Sequence, residues 1–407
     1  MRRSKRIVAL LMAAAMVVSL AGCGSKGTTA PAEESRTEAQ KTEAAKTDPA
    51  KPEEAKTEDG GETAKEGGKL LFFAIQNIGD YGINDLGYFA AQDIAEKYGM
   101  DLTLVEGSND ASVRTTSLLD ALETGDYDYC ITASWYILDD LLAQANDFDT
   151  KFIIYDTNPT LDLSAYPNCY GISFRQDEGS FLTAVYQCLM TKTGSVGAVA
   201  SQDAPILNDF LTGWLAGVKY FNDNMGGNVK YSVAYLSDST VQGDYETAAV
   251  LYGAGCDIVY NIAGTFCLGA AKACEEAGGT ESGKYLVGVD YDQYEVFEQS
   301  DNTDVEGYEN LATSMEKKIR ESIVSAFDQL SDGTGQMANH RFSLADGGVG
   351  LAYNDNYFKL TPEDVQKKVT EVEDKIKSGD IKVPSYFDFN DYDGFKEFRD
   401  NPDSRIN

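Results

Sequence analysis

Hydrophobic and polar positions change rhythm abruptly at Lys69, where apolar runs of strand length begin to alternate with amphipathic stretches of helical period. Leu70-Leu71-Phe72-Phe73-Ala74-Ile75 reads as a buried strand, Tyr88 to Lys97 as a helix, and Leu102-Thr103-Leu104-Val105 as the next strand. Val113 to Leu122 repeats the helical period, with Leu118, Leu119 and Leu122 on one face. Further strands are expected at 129–132, 152–155, 196–199, 231–236, 258–262 and 285–289. Helices are expected between them at 181–190, 210–221, 245–251 and 268–277. Apolar strands separated by helices mean parallel sheets covered on both faces. They are too many for one compact sheet. The spacing therefore predicts an α/β chain of two doubly wound parallel-sheet lobes, divided near Tyr170 to Arg175.

The first 68 residues follow other rules. Arg2, Arg3, Lys5 and Arg6 precede an apolar run from Ile7 to Leu20, too short for a comfortable membrane span. Leu20-Ala21-Gly22-Cys23 resembles the lipobox of bacterial lipoproteins. It implies a signal peptide over 1–22 and lipidation of Cys23; an ordinary signal peptide ending near a cysteine is the plainer alternative. Residues 24–68 are small, polar and charged, with almost no large apolar side chain, and are expected to stay disordered. Such a tether spans roughly 40 Å on average.

Charge narrows the function. The 407-residue chain carries a formal net charge of -32. So acidic a surface repels nucleic acid and gains nothing from anionic lipid, leaving membrane contact to the tether. Of seven cysteines none forms a C-x-x-C pair, and His340 is the only histidine. That argues against His-based zinc sites and most Ser-His or Cys-His nucleophiles. No metal or cofactor is expected. In open parallel sheets ligands sit beyond the carboxyl ends of the strands. The residues there are 77–88, Trp135, Tyr136, Asp156, Asp203, Asp238, 264–266 and 290–293. They are rich in acids, amides and aromatics and poor in Lys and Arg. Such a cleft suits a neutral polyhydroxy or heterocyclic ligand rather than a phosphate.

Several blocks, in order, resemble the basic membrane protein, or PnrA-like, group of nucleoside-binding lipoproteins. They are Gly171-Ile172-Ser173-Phe174-Arg175-Gln176-Asp177-Glu178-Gly179, Thr193-Gly194-Ser195-Val196-Gly197, Phe210-Leu211-Thr212-Gly213-Trp214-Leu215-Ala216-Gly217 and Gly255-Cys256-Asp257-Ile258. Gly288-Val289-Asp290-Tyr291-Asp292-Gln293, Ser314-Met315-Glu316-Lys317 and Lys375-Ile376-Lys377-Ser378-Gly379 complete the set. The resemblance implies a type I periplasmic-binding-protein fold. Its lobes would be 69–172 and 173–294, with 295–384 as hinge crossover, return helices and closing strands, and 385–407 as a C-terminal tail. It also implies a purine or pyrimidine nucleoside as ligand and an ABC transporter permease as partner; a purine, and an extracytoplasmic, lipid-anchored, monomeric protein, are expected.

Carried over by motif, Asp290 accepts from the ribose diol and Lys317 donates to the same sugar. A helix cap and a solvated helix face are their plainer readings. The first loop departs from the family pattern. There Asn84 or Asp85 is expected to read the base edge and Tyr88 to stack on it, or to open a helix as a core aromatic. Trp135 and Phe266 are further stacking candidates, Gly264 lines the same loop, and Asp156 either binds the base or caps a loop. Two rival functions stay open: a ligand-sensing lipoprotein, and an exported nucleoside or glycoside hydrolase, for which Asp290 and Asp292, two apart at a strand end and so pointing to opposite sides, make a poor catalytic pair. The acids of 388–393 lack calcium-loop spacing and are expected to form a solvated tail.

Overall fold

The computed structural model describes residues 67–80, 82–264, 267–299 and 306–401, all within the unit Glu62–Asn407. The signal peptide, the linker and Cys23 lie outside the described residues, as does Phe266.

Twelve strands form two six-stranded sheets. The strands are β1 (Lys69–Ala74), β2 (Asp101–Glu106), β3 (Tyr129–Ala133), β4 (Lys151–Tyr155), β5 (Cys169–Phe174) and β6 (Ser195–Ala200). They continue as β7 (Lys230–Tyr235), β8 (Ile258–Ile262), β9 (Tyr285–Asp290), β10 (Leu311–Lys317), β11 (Asn339–Phe342) and β12 (Val349–Leu351). The first sheet runs β2-β1-β3-β4-β5-β11 and the second β7-β6-β8-β9-β10-β12. Every pairing is parallel except β10 with β12. The two orders are the same, so β4 in one lobe corresponds to β9 in the other. Central strands such as β1 and β8 are buried almost throughout, as continuous apolar runs require. The edge strands β2 and β7 are half-buried.

Helices cover the faces. They are α1 (Ile83–Tyr98), α2 (Ala111–Gly125), α3 (Leu138–Leu142), α4 (Gln176–Met190), α5 (Pro205–Asn224) and α6 (Val241–Gly253). The remainder are α7 (Cys267–Glu276), α8 (Gln293–Gln299), α9 (Ile319–Asp332), α10 (Asp355–Leu360), α11 (Glu363–Lys377) and α12 (Tyr392–Asp400). Several begin ahead of their apolar periodicity, because polar caps set the first turn. α1 starts five residues before Tyr88, where the Asp80 carboxylate accepts from the backbone N–H groups of Gly82, Asn84 and Asp85 at 3.0–3.1 Å. α6 starts behind Thr240, whose hydroxyl accepts from Gly243 N, and α5 opens on Pro205.

The chain passes between the sheets three times: after β5 into α4, after β10 into α9, and from β11 to β12. The crossovers are stitched together, Arg175 N donating to Phe342 O at 2.8 Å and Lys318 N to Gly348 O at 2.9 Å. β5 occupies the stretch expected to divide the lobes; the chain leaves the first sheet only after Phe174. α4 and α5 then pack almost backbone to backbone. A Cβ on Gly213 would lie 1.9 Å from the Asp177 carbonyl oxygen, so only glycine fits there.

The tail is not solvated. Phe395 and Phe398 are fully buried and α12 packs on α5. Arg399 donates to the Tyr235 hydroxyl at 3.3 Å, while Tyr392 donates to Asp203. The acids that suggested a solvated stretch are helix caps: Asp388 closes a capping box with Ser385, and Asp391 accepts from Gly394 N. Apolar residues at helical spacing between those acids carry the burial.

Asp244 in the first turn of α6 ties α6, β8 and α7 together. Fully buried, it accepts from Asn261 Nδ2 at 2.7 Å and from Ala270 N at 2.6 Å, and no cation pairs with it among the described residues. Burial pushes its carboxyl up to about 7, against the pull of those two donors. Asn261 Oδ1 meanwhile has no partner; a protonated Asp244 supplies one once that amide flips. A carboxyl raised in the folded state favours folding while protonated, so its benefit fades as pH climbs from about 4 to about 7. Asp244→Asn is therefore expected to gain about 2 kcal/mol on the wild type between roughly pH 5 and pH 8, read from denaturant unfolding at each pH. Parallel pH curves for the two proteins would refute this.

Candidate functional site

Among the described residues, two of the four non-glycine residues with left-handed backbone, Asp156 and Asp290, sit at carboxyl ends of strands. Asp156 follows β4 with φ 58°, and Asp290 ends β9 with φ 69°. They occupy corresponding places in the two lobes. Aspartate tolerates this conformation better than most residues, and strain of this kind gathers at binding sites.

Lys317 stands between them. It ends β10, beside β9, where Glu316 pairs in register with Asp290. Its ammonium lies 2.9 Å from Asp156 Oδ1 in the other lobe and 3.5 Å from Asp290 Oδ1 in its own. The rings of Phe210 and Phe174 back it at 4.8 and 6.0 Å. Burial works against the Lys317 charge, but the two carboxylates outweigh it and hold its pKa above the ordinary lysine value. The two aspartates are unlike. Asp156 Oδ2 also accepts from Trp135 Nε1 at 2.6 Å, so both its oxygens are engaged. Asp290 is one-third exposed, and its Oδ1 lacks a hydrogen bond of good geometry. Burial raises its carboxyl, with Lys317 opposing.

The structure thus brings Asp290, Lys317, Asp156 and Trp135 together. Trp135 enters as a donor to Asp156 rather than as a bare stacking ring. The α1 entrance is arranged differently. Asn84 is fully buried; its Oδ1 accepts from Ile75 N at 3.0 Å and its Nδ2 donates to Asp80 at 2.9 Å. Asp85 accepts from Gly79 N at 2.6 Å. Tyr88 packs against Phe72 with ring centroids 5.6 Å apart, on the core side of α1. Gly264, with φ 57°, accepts from Gln293 Nε2 through its carbonyl. The lobes meet again at this entrance, since a Cβ on Gly82 would touch the Tyr291 ring at 3.5 Å.

Asp292 turns away. It accepts from Asn354 Nδ2 at 2.7 and 2.9 Å and from Glu295 N. It forms no pair with Asp290, as residues two apart on a strand end require for acid–base work. Among the described residues no group of three or more His, Cys, Asp or Glu side chains gathers to hold a metal. Phe174, Phe210 and Asp80 were missed as contributors. Asp80 alone gave a signal, an acid shortly before a helix start.

Behind the site the crossovers hold a buried ion cluster. Asp177 on α4 and Asp209 on α5 are both fully buried, and face each other because of the close helix contact at Gly213. Arg341 on β11 donates to Asp177 at 3.1 Å, Asp209 at 3.0 Å and the Ser385 hydroxyl at 3.1 Å. Arg175 donates to Asp177 at 2.6 Å and to Val383 O at 3.0 Å. Asp209 also accepts from Gln176 Nε2, Ser385 Oγ and Tyr386 N.

The sequence profile of the family described as ABC transporter substrate-binding protein PnrA-like matches residues 69–386. Basic membrane protein A of Borreliella burgdorferi is 27% identical over 333 residues, 80% of this chain and 90% of that protein. The ABC transporter nucleoside-binding protein BmpA of Lactococcus lactis subsp. cremoris is 26% identical over 319 residues, 75% of this chain and 86% of that one. A solute-binding protein of an ABC transporter system from Aeropyrum pernix K1 has the same fold, with TM-score 0.67 at 22% identity. That likeness covers 83% of this chain and 98% of the other.

Removing one partner of a buried ion cluster strands the rest. Arg341→Met is expected to lower stability by about 3 kcal/mol at neutral pH, measured by denaturant unfolding. An unchanged midpoint would show the cluster to be dispensable.

Proposed function

The chain belongs to the PnrA-like family of ABC transporter substrate-binding proteins, and from that premise we propose that it captures a nucleoside between its two lobes. One observation carries the reading: the Asp290 side chain is one-third exposed at the cleft, while its Oδ1 is buried against the Lys317 ammonium, which keeps the carboxylate charged beside an open face. A vicinal diol offers two O–H donors to such a carboxylate, and charge-assisted bonds of this kind are among the stronger ones. Lys317 supplies the complementary donor to the sugar oxygens. The name of the Lactococcus relative, a nucleoside-binding protein, supports the same ligand class. We further propose delivery of the nucleoside, a purine by preference, to an ABC importer. The protein would be tethered through lipidated Cys23 on the extracytoplasmic face.

The hydrolase reading loses its support, because Asp292 is engaged with Asn354 and the carboxylate that does stand near Asp290, Asp156, is buried and held by Lys317 and Trp135.

Inosine, adenosine and uridine are expected to raise the unfolding temperature of the wild type, while ribose 5-phosphate and nucleotides are not. Asp290→Asn keeps a residue type that tolerates positive φ but removes the charge. Calorimetry should find its nucleoside affinity at least about 100-fold weaker, with unfolding of the ligand-free protein nearly unchanged. Full affinity in that variant would refute the role of Asp290, and no shift with any nucleoside would refute the ligand class.

A further inference from the structure

We propose that Asp156 is a positioning residue rather than a ligand contact: it clasps Lys317 across the cleft and so latches the two lobes closed over the ligand. The second half of this rests on the nucleoside reading; the clasp itself does not. Asp156 belongs to the first lobe and Lys317 to the second, so their 2.9 Å contact exists only while the lobes are closed. Both Asp156 oxygens are engaged, by Lys317 and by Trp135, and its carbonyl accepts from Ser134 Oγ at 2.5 Å. Only 4% of its side chain is exposed, against 33% for Asp290. Nothing is left on it for a ligand to find.

The two carboxylates differ in the lobe they come from. Asp290 is Lys317's neighbour within one sheet and remains within reach when the lobes part. Closure brings the second carboxylate, and the ammonium now sits nearer to it, 2.9 Å against 3.5 Å. The aromatic backing is shared in the same way: Phe174 comes from the first sheet and Phe210 from the helix face of the second lobe. Asp290 Oδ1 stays buried against the ammonium, so closure adds Asp156 to a pair that the second lobe already holds.

Small-angle scattering of the ligand-free protein tests the clasp directly. The wild type should scatter as the closed form. Asp156→Asn, which tolerates the same backbone and keeps an acceptor for Trp135, should give a larger radius of gyration. Lys317→Gln, altering the other lobe, should expand the protein in the same way, which separates loss of the clasp from local damage at Asp156. In stopped-flow binding of inosine, Asp156→Asn should weaken affinity about tenfold, nearly all of it in the dissociation rate. A natively folded Asp156→Asn with wild-type radius and dissociation rate would overturn the proposal. The scattering arm needs no nucleoside. A wild type that is closed, opens on both substitutions and binds no nucleoside would therefore sink the ligand reading and leave the clasp standing.

Discussion

A single ammonium buried between two lobes organises this molecule. Lys317 is 3% exposed, and a cation removed from water to that degree costs several kcal/mol unless carboxylates surround it. The fold provides them through its internal repetition. β4 and β9 hold the same place in their sheets, and each delivers an aspartate at its carboxyl end in left-handed backbone. Continuing either strand in extended conformation would send the next side chain to a face of its sheet. The turn at positive φ aims it into the cleft instead. Two modestly strained residues, one from each lobe, thereby converge on one cation.

That convergence demands accuracy from the crossovers, since a shift of about an ångström between lobes would separate Lys317 from Asp156. The accuracy comes from the helix pair α4 and α5 and the ion cluster at its start. Gly213 lets the two backbones touch. The contact places Asp177 opposite Asp209, and Arg341 reaches both from the edge of the other sheet. Ser385 and Tyr386 add donors to Asp209, so the segment leading into α12 is part of the same support. The family profile ends at residue 386, at this junction. α12 lies beyond it and packs on α5, burying Phe395 and Phe398.

Most of the sheet was legible in the sequence because parallel strands buried on both faces are short unbroken apolar runs, such as Leu70 to Ile75, set between polar gaps. Helix starts were less legible. Their caps are single polar side chains such as Asp80 and Thr240, invisible to periodicity. β5, β10, β11 and β12 escaped for other reasons: β11 and β12 are short, β5 mixes Gly and Ser into its apolar run, and β10 mixes in Thr, Ser, Glu and Lys. In the site, Asp290 and Lys317 were reached through motif resemblance and Asp156 through its place after a strand. What the chain could not reveal was the partnership. Asp156 and Lys317 are 161 residues apart, and only the order of strands in two sheets brings them together. The same blindness made Asn84 look free to meet a ligand, when a backbone N–H nine residues earlier already holds it.

The charge arithmetic of the site also decides which ligands it can accept. One ammonium faces two carboxylates, so the cluster carries a net negative charge before any ligand arrives, and the chain as a whole is strongly acidic. At an effective dielectric near 20, two like charges about 4 Å apart repel by roughly 4 kcal/mol. A phosphate beside Asp290 would meet that repulsion with no spare cation to offset it, because Lys317 is already claimed on both sides. A neutral sugar meets none of it and brings the donors that Asp290 lacks. Under the nucleoside reading proposed above, a preference for uncharged polyols over their phosphate esters needs no dedicated gate: it follows from a cation already matched by two carboxylates.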